Sequence, residues 1–176
     1  MTNNCTVSRG NVYCEARLEA ARRNYSLNSR EGASELLYIS DRSLADYERG
    51  LITPPPDVVM RMAEVYEAPE LINHYCACEC PAGRGRIREA PVLAPPHVAT
   101  RLRAASYRLP ETLRALDELT EGGAVDRQSM PELLAAVEEL AGLKQAISEL
   151  ELMADKLRRG LEPTDGCPGR TGRSRT

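Results

Sequence analysis

Between Pro131 and Gly160 the apolar residues Leu133, Ala136, Leu140, Leu143, Ile147, Leu150, Ala154 and Leu157 recur at alternating steps of three and four. A helix brings such positions onto one stripe, and the stripe has the spacing of a coiled-coil seam. One long helix is therefore expected here, with another helix lying against it. Two partners fit. The preceding stretch His97–Glu121 carries Leu102, Ala105, Leu109, Leu113, Leu116 and Leu119, and Gly122-Gly123 could turn it back as a hairpin. A second chain could instead cover the seam as a coiled coil. Pro110 marks a kink or a restart within the earlier stretch.

The rest of the chain agrees with an all-α fold. Trp and Phe are absent and Tyr supplies all seven aromatics, so Leu, Ala, Val, Ile and Met must fill the core. That palette suits helix packing better than a β-sandwich. No segment approaches the roughly 18 apolar residues of a membrane helix, and the polar start Met1–Gly10 lacks the apolar centre of a signal peptide. A cytoplasmic protein with reduced cysteines is expected. Enzymatic readings find little support. The only histidines are His74 and His97, no Gly-rich phosphate loop is present, and no Ser or Cys nucleophile has a recognisable base.

Composition divides the chain into residues 1–75, a Cys/Pro/Gly-rich linker over 76–96, a helical region over 97–161 for oligomerisation or partner binding, and a polar tail over 162–176 expected to be disordered. Five helices are expected in the first part. The first spans about Cys14–Asn24 with Leu18 and Ala21 inward. Ser29 caps the second, Arg30–Leu37, and Tyr38-Ile39 makes the turn. Ser40 caps the third, which runs to about Glu48 and is stopped by Gly50. After Pro54-Pro55-Pro56 come Asp57–Tyr66 and, opened by Pro69, Glu70–Tyr75.

The stretch Ser29–Gly50 pairs a capped short helix with a tight turn ending in Ser and a helix closing in Glu48-Arg49-Gly50. Ala33 is small where two helices cross, and Leu37, Ile39, Leu44 and Tyr47 are apolar where the pair closes its core. With the later run from Pro55 to Ala63, followed by Val65 and Tyr66, this resembles the lambda-repressor/Cro family of helix-turn-helix DNA-binding domains over roughly Cys14–Tyr75. The resemblance implies that the third helix enters the major groove of double-stranded DNA, with Asp41, Arg42, Ser43 and Asp46 at base edges. Arg30 would meet a phosphate at the start of the second helix, and Arg49 would lie near the backbone. It also implies an internal Arg23–Glu48 pair and, because one domain makes few base contacts, a homodimer.

Several residues depart from the pattern. Tyr38 stands where the turn usually has Gly, which asks a bulky residue to take positive φ. Asn28 replaces an apolar residue, with Leu27 next to it as the substitute. Asp41 and Asp46 would face a negatively charged groove. The net charge is −3 overall, and Met1–Tyr75 is no more basic, with eight Arg against eleven acids (8 − 11 = −3). DNA affinity would have to come from local placement of charge.

Cys76-Ala-Cys78-Glu-Cys80, just after His74, would point three thiols to one side if extended. With Cys14 these could hold zinc or an iron–sulfur cluster, and a helix start would favour the Cys14 thiolate. Redox-active or inert buried thiols fit the same spacing. The leading expectation is a sequence-specific DNA-binding transcriptional regulator. The alternative is a helical adaptor or assembly protein that uses the same fold for protein contacts.

Overall fold

The computed structural model describes residues 11–123 and 125–161; the expected disordered tail, together with Cys5 and Cys167, lies outside them. Every regular element among the described residues is helical. The chain runs through α1 (Val12–Ala20), a 3-10 turn (Tyr25–Asn28), α2 (Arg30–Leu37), α3 (Asp41–Glu48), α4 (Pro56–Val65) and α5 (Glu70–His74). A π-helical turn (Tyr75–Glu79) follows, then α6 (Pro95–Ser106), α7 (Leu109–Thr120) and α8 (Met130–Arg158). No described helix is long and apolar enough to cross a membrane.

The first five helices enclose one core. Leu27, Leu37, Leu44, Met62 and Leu71 are fully buried in it, with Ala33 at the close helix crossing. Leu27 fills the place that Asn28 could not. Local chemistry sets the helix ends. Asn11 caps α1 by accepting from the N–H groups of Tyr13 and Cys14, and its amide donates to the Tyr47 carbonyl at 2.8 Å, which ties the start of α1 to the end of α3. Ser29 and Ser40 cap α2 and α3 as the sequence suggests. Pro56 opens α4, where a missing N–H costs nothing.

Two expectations about this half are corrected. The first helix starts earlier and ends at Ala20, and its inward face is Tyr13, Arg17 and Ala20. Leu18 is 48% exposed and Ala21 only half-buried. The chain bends away at Arg22–Asn24 into the 3-10 turn, so the apolar period that pointed to Leu18 had borrowed residues outside the helix. The segment from Cys76 is not extended either. It prolongs α5 as a π-helical turn with Ala77 buried. Gly83 then packs so tightly on that turn that a Cβ would lie 2.0 Å from the Cys76 carbonyl oxygen.

The second half is an intrachain helical assembly, with α8 packed on α6 and α7. Pro110 is a restart, since it sits in the first turn of α7. Ala136 of the seam is buried and Leu140 and Leu143 are half-buried. Further along, the buried positions move to Ala146, Glu149 and Leu152. Ile147, Leu150 and Leu157 of the seam are left 42%, 36% and 49% exposed. A straight α-helix drifts against a strict seven-residue repeat, so the packed face need not follow the seam. Polar contacts hold α8 to the first half and to the linker: Lys156 Nζ lies 2.8 Å from Glu70 Oε1, and Gln145 donates to the Glu89 carbonyl at 2.9 Å.

Candidate nucleic-acid interface

The α2–α3 pair is built as its sequence requires. Leu37 and Leu44 face each other across the turn in the core, and Ile39 and Tyr47 pack against it. Tyr38 adopts φ 54°, ψ 42° and stays 88% exposed. The left-handed cap is therefore made by a tyrosine whose ring packs on little, at a strain cost that Gly would avoid.

Asp41 and Arg42 stand exposed at the start of α3. Ser43 is half-buried, and its hydroxyl meets the Ser40 hydroxyl at 2.8 Å. Asp46 is half-buried and held by Arg49, whose Nη2 lies 2.8 Å from Asp46 Oδ1. Arg30 directs Nε to Glu48 Oε2 at 2.7 Å. Of the three arginines in Ser29–Gly50, Arg42 alone forms no ion pair with a described residue.

Glu48 is the centre of this arrangement. Its carboxylate is fully buried and accepts from Arg17 Nε and Nη2 as well as from Arg30. Arg17 also donates to the Leu27 carbonyl at 2.8 Å, so one guanidinium joins α1, the 3-10 turn and α3. Burial opposes ionisation of Glu48, but the hydrogen bonds from Arg17 and Arg30 outweigh it and hold its pKa below the usual range. The internal partner of Glu48 is thus Arg17 rather than Arg23, which bonds Glu67 at 2.9 Å. The sequence signal was available: Arg17 sits on the inward period between Tyr13 and Ala20, where a charge needs a buried partner.

The cysteine expectation dissolves into a different cluster. Cys14, Cys76 and Cys80 are free thiols, while Cys78 is disulfide-bonded. Burial pushes the Cys14 thiol up, and the charge of Glu48 adds to that, so the helix start does not yield the favoured thiolate. Among the described residues, the group whose ligand atoms lie within 4.8 Å of one another is His74, Cys78 and Glu89. Cys14, Cys76 and Cys80 are not brought to it. A donor set of one imidazole, one carboxylate and a disulfide sulfur does not fit a zinc–thiolate site or an iron–sulfur cluster.

What that place holds instead is an ionic knot. His74 Nδ1 lies 2.6 Å from Glu89 Oε1, and its Nε2 lies 3.8 Å from Glu79 Oε1. The Tyr13 hydroxyl donates to Glu79 Oε2 at 2.7 Å, and the Asn73 side chain accepts from the Ala90 N–H at 2.7 Å. Burial disfavours the imidazolium, yet the two carboxylates win and raise the His74 pKa. The sequence hid this cluster because Glu89 lies in a stretch without periodicity.

No family model, no curated protein and no solved structure matches the chain.

Proposed function

We propose that the chain is a sequence-specific DNA-binding regulator of the lambda-repressor/Cro type that reads the major groove of double-stranded DNA with α3. The observation that carries this reading is the α2–turn–α3 unit: two capped eight-residue helices packed through Leu37 and Leu44, with Asp41 and the unpaired Arg42 exposed at the start of the second. Arg42 would reach a guanine edge, and Asp41 could accept from a cytosine amino group. Arg30, with Nε committed to Glu48, keeps its outer nitrogens for a phosphate. Asp46 and Arg49 neutralise each other, so their share in binding is smaller than sequence position suggests.

A second reading has its own support. The unit Ser29–Gly50 carries three Arg against five acids (3 − 5 = −2); Leu36 and Tyr38 are exposed on it, and Leu51 and Ile52 are exposed just after it. Those features suit a helical adaptor that meets a protein.

Selection from random duplexes across a salt series separates the two. On the DNA reading a site is enriched, and Arg42→Ala loses roughly 1–3 kcal/mol on it and relaxes one base pair. Arg30→Ala weakens all sequences evenly and flattens the salt dependence. No duplex binding at low salt would refute the DNA reading and leave the adaptor.

A further inference from the structure

We propose that the knot around His74 becomes a zinc site when the Cys78 disulfide is reduced, with His74 Nδ1, Cys78 Sγ and the Glu89 carboxylate as ligands. The inference does not depend on DNA binding, and its ligands are not the thiol set that the sequence suggests. His74 and Cys78 stand four residues apart on α5 and the π-helical turn that prolongs it, a spacing that brings both side chains to one face. Glu89 comes from the linker, and its ligand atom, an imidazole nitrogen and the sulfur all lie within 4.8 Å of one another. All three residues are half-buried, so an ion or a reductant can reach them. The spacings suit one ion. Zn–S of about 2.3 Å and Zn–O of about 2.1 Å at a tetrahedral angle put sulfur and oxygen about 3.6 Å apart, and Cys78 Sγ lies 3.7 Å from Glu89 Oε2. Glu89 Oε1 and His74 Nδ1, now hydrogen-bonded at 2.6 Å, would stand about 3.3 Å apart on zinc, so this pair opens by about 0.7 Å.

The surroundings are those of a metal-bound histidine. With Nδ1 on zinc, the Nε2–H faces Glu79 Oε1, 3.8 Å away, and Glu79 is itself fixed by the Tyr13 hydroxyl at 2.7 Å. A carboxylate behind the imidazole holds the ring and raises its basicity. The backbone at Glu89 is pinned from two sides: its carbonyl accepts from Gln145 of α8, and the next N–H donates to Asn73 of α5. The sulfur decides occupancy. As half of a disulfide Cys78 carries no thiolate, and His74 with Glu89 alone is a weak two-donor set. A dithiol reductant supplies the two electrons. One of its thiolates attacks the disulfide, its second thiol resolves the mixed disulfide, and its two protons end on Cys78 and on the cysteine released. Zinc then displaces the Cys78 thiol proton and the Nδ1 proton. One imidazole, one thiolate and one carboxylate leave the fourth position to water, and this mixed donor set selects zinc over calcium or magnesium.

Zinc binding by the full chain, measured by competition with a chromophoric chelator before and after treatment with a phosphine reductant, tests the site. The oxidised chain already carries the Cys14, Cys76 and Cys80 thiols and so is the control for them. One further equivalent of zinc is expected to bind on reduction. His74→Gln and Glu89→Gln should each weaken it by more than about a hundredfold, as ligands, and Glu79→Gln by about tenfold, as the outer partner. Cobalt(II) in place of zinc should give a thiolate-to-metal charge-transfer band that is lost in Cys78→Ser, a readout that needs no change at the histidine or the carboxylates. The double variant Cys76→Ser, Cys80→Ser should leave both results unchanged, and helical circular dichroism checks that each variant folds. No additional zinc on reduction would overturn the site. So would reduction-dependent zinc that persists in His74→Gln and Glu89→Gln but is lost in the double variant, because the metal would then sit on the other thiols. Equal affinity with the disulfide intact would overturn the dependence on reduction.

Discussion

Removing Glu48 tests how the first half of the molecule is held together. In Glu48→Met the packing volume is nearly kept, but Arg17 stays in the core with no anion. The Leu27 and Asn28 carbonyls, at 2.8 and 3.3 Å, remain its only described acceptors. Breaking a buried pair by removing one partner costs about 3–5 kcal/mol, because an uncompensated charge is left inside. A domain of this size has only about 3–10 kcal/mol in total at 0.05–0.15 kcal/mol per residue, so Glu48→Met should bring it close to unfolding. Arg17→Met should cost less, about 2–3 kcal/mol, because Arg30 still answers the carboxylate. The double variant should cost clearly less than the sum of the singles. Urea unfolding followed by circular dichroism measures all three. Additive costs, or singles below about 1 kcal/mol, would show that the Arg17–Glu48 pair does not lock the fold. The same carboxylate sets a pH limit. Its folded pKa is depressed, so its contribution is present above the unfolded value and is lost as pH falls through the folded one.

Two further outcomes follow from single positions. Tyr38→Gly should raise stability by about 0.5–1 kcal/mol, since Gly takes the observed φ without strain and the exposed ring packs on little; a loss of stability in urea unfolding would show that the tyrosine ring holds the turn. The His74 pKa is raised, so its stabilisation is complete below the unfolded value of about 6.5 and is lost as pH rises through the folded value. An NMR titration should find His74 above 6.5, and a value at or below it would show that burial beats Glu79 and Glu89.

Elements whose local chemistry was self-sufficient were legible in the sequence. Ser29 and Ser40 announced α2 and α3 to the residue, and Leu27, Ala33, Leu37 and Leu44 were identifiable as core because caps and turn fix their faces. Tyr38 in the left-handed region was legible only through the resemblance, which puts it where the turn usually has Gly. What failed depended on tertiary context. The apolar pattern around Leu18 continued past the true end of α1, and only the 3-10 turn, with Arg17 bonded to its last carbonyls, decides where that helix stops. The extended reading of Cys76–Cys80 failed because Ala77 is needed in the core, which winds the segment onto α5. The seam of α8 was visible, but its partial cover was not: nothing in the period of Leu140, Leu143 and Ile147 signals that Glu149 will be the buried residue.

The same carboxylate that locks the fold also bears on the proposed DNA contact. Arg30 is nearly half exposed and Glu48 not at all, so the pair aims a surface cation from a buried point rather than hiding it. A guanidinium held through Nε has lost much of its rotamer freedom before any phosphate arrives, and a contact made from such a side chain gives up less entropy on binding. This resolves part of the difficulty posed by a net-negative domain. Arg49 is answered by Asp46 and Arg23 by Glu67, so neither is a free cation. With a net negative charge over residues 1–75, the long-range field would not steer association with DNA. Recognition on this surface would then rest on two cations, Arg42 free and Arg30 oriented. A salt dependence reflecting only a few phosphates per domain is the consequence, with specificity carried by α3 rather than by bulk attraction.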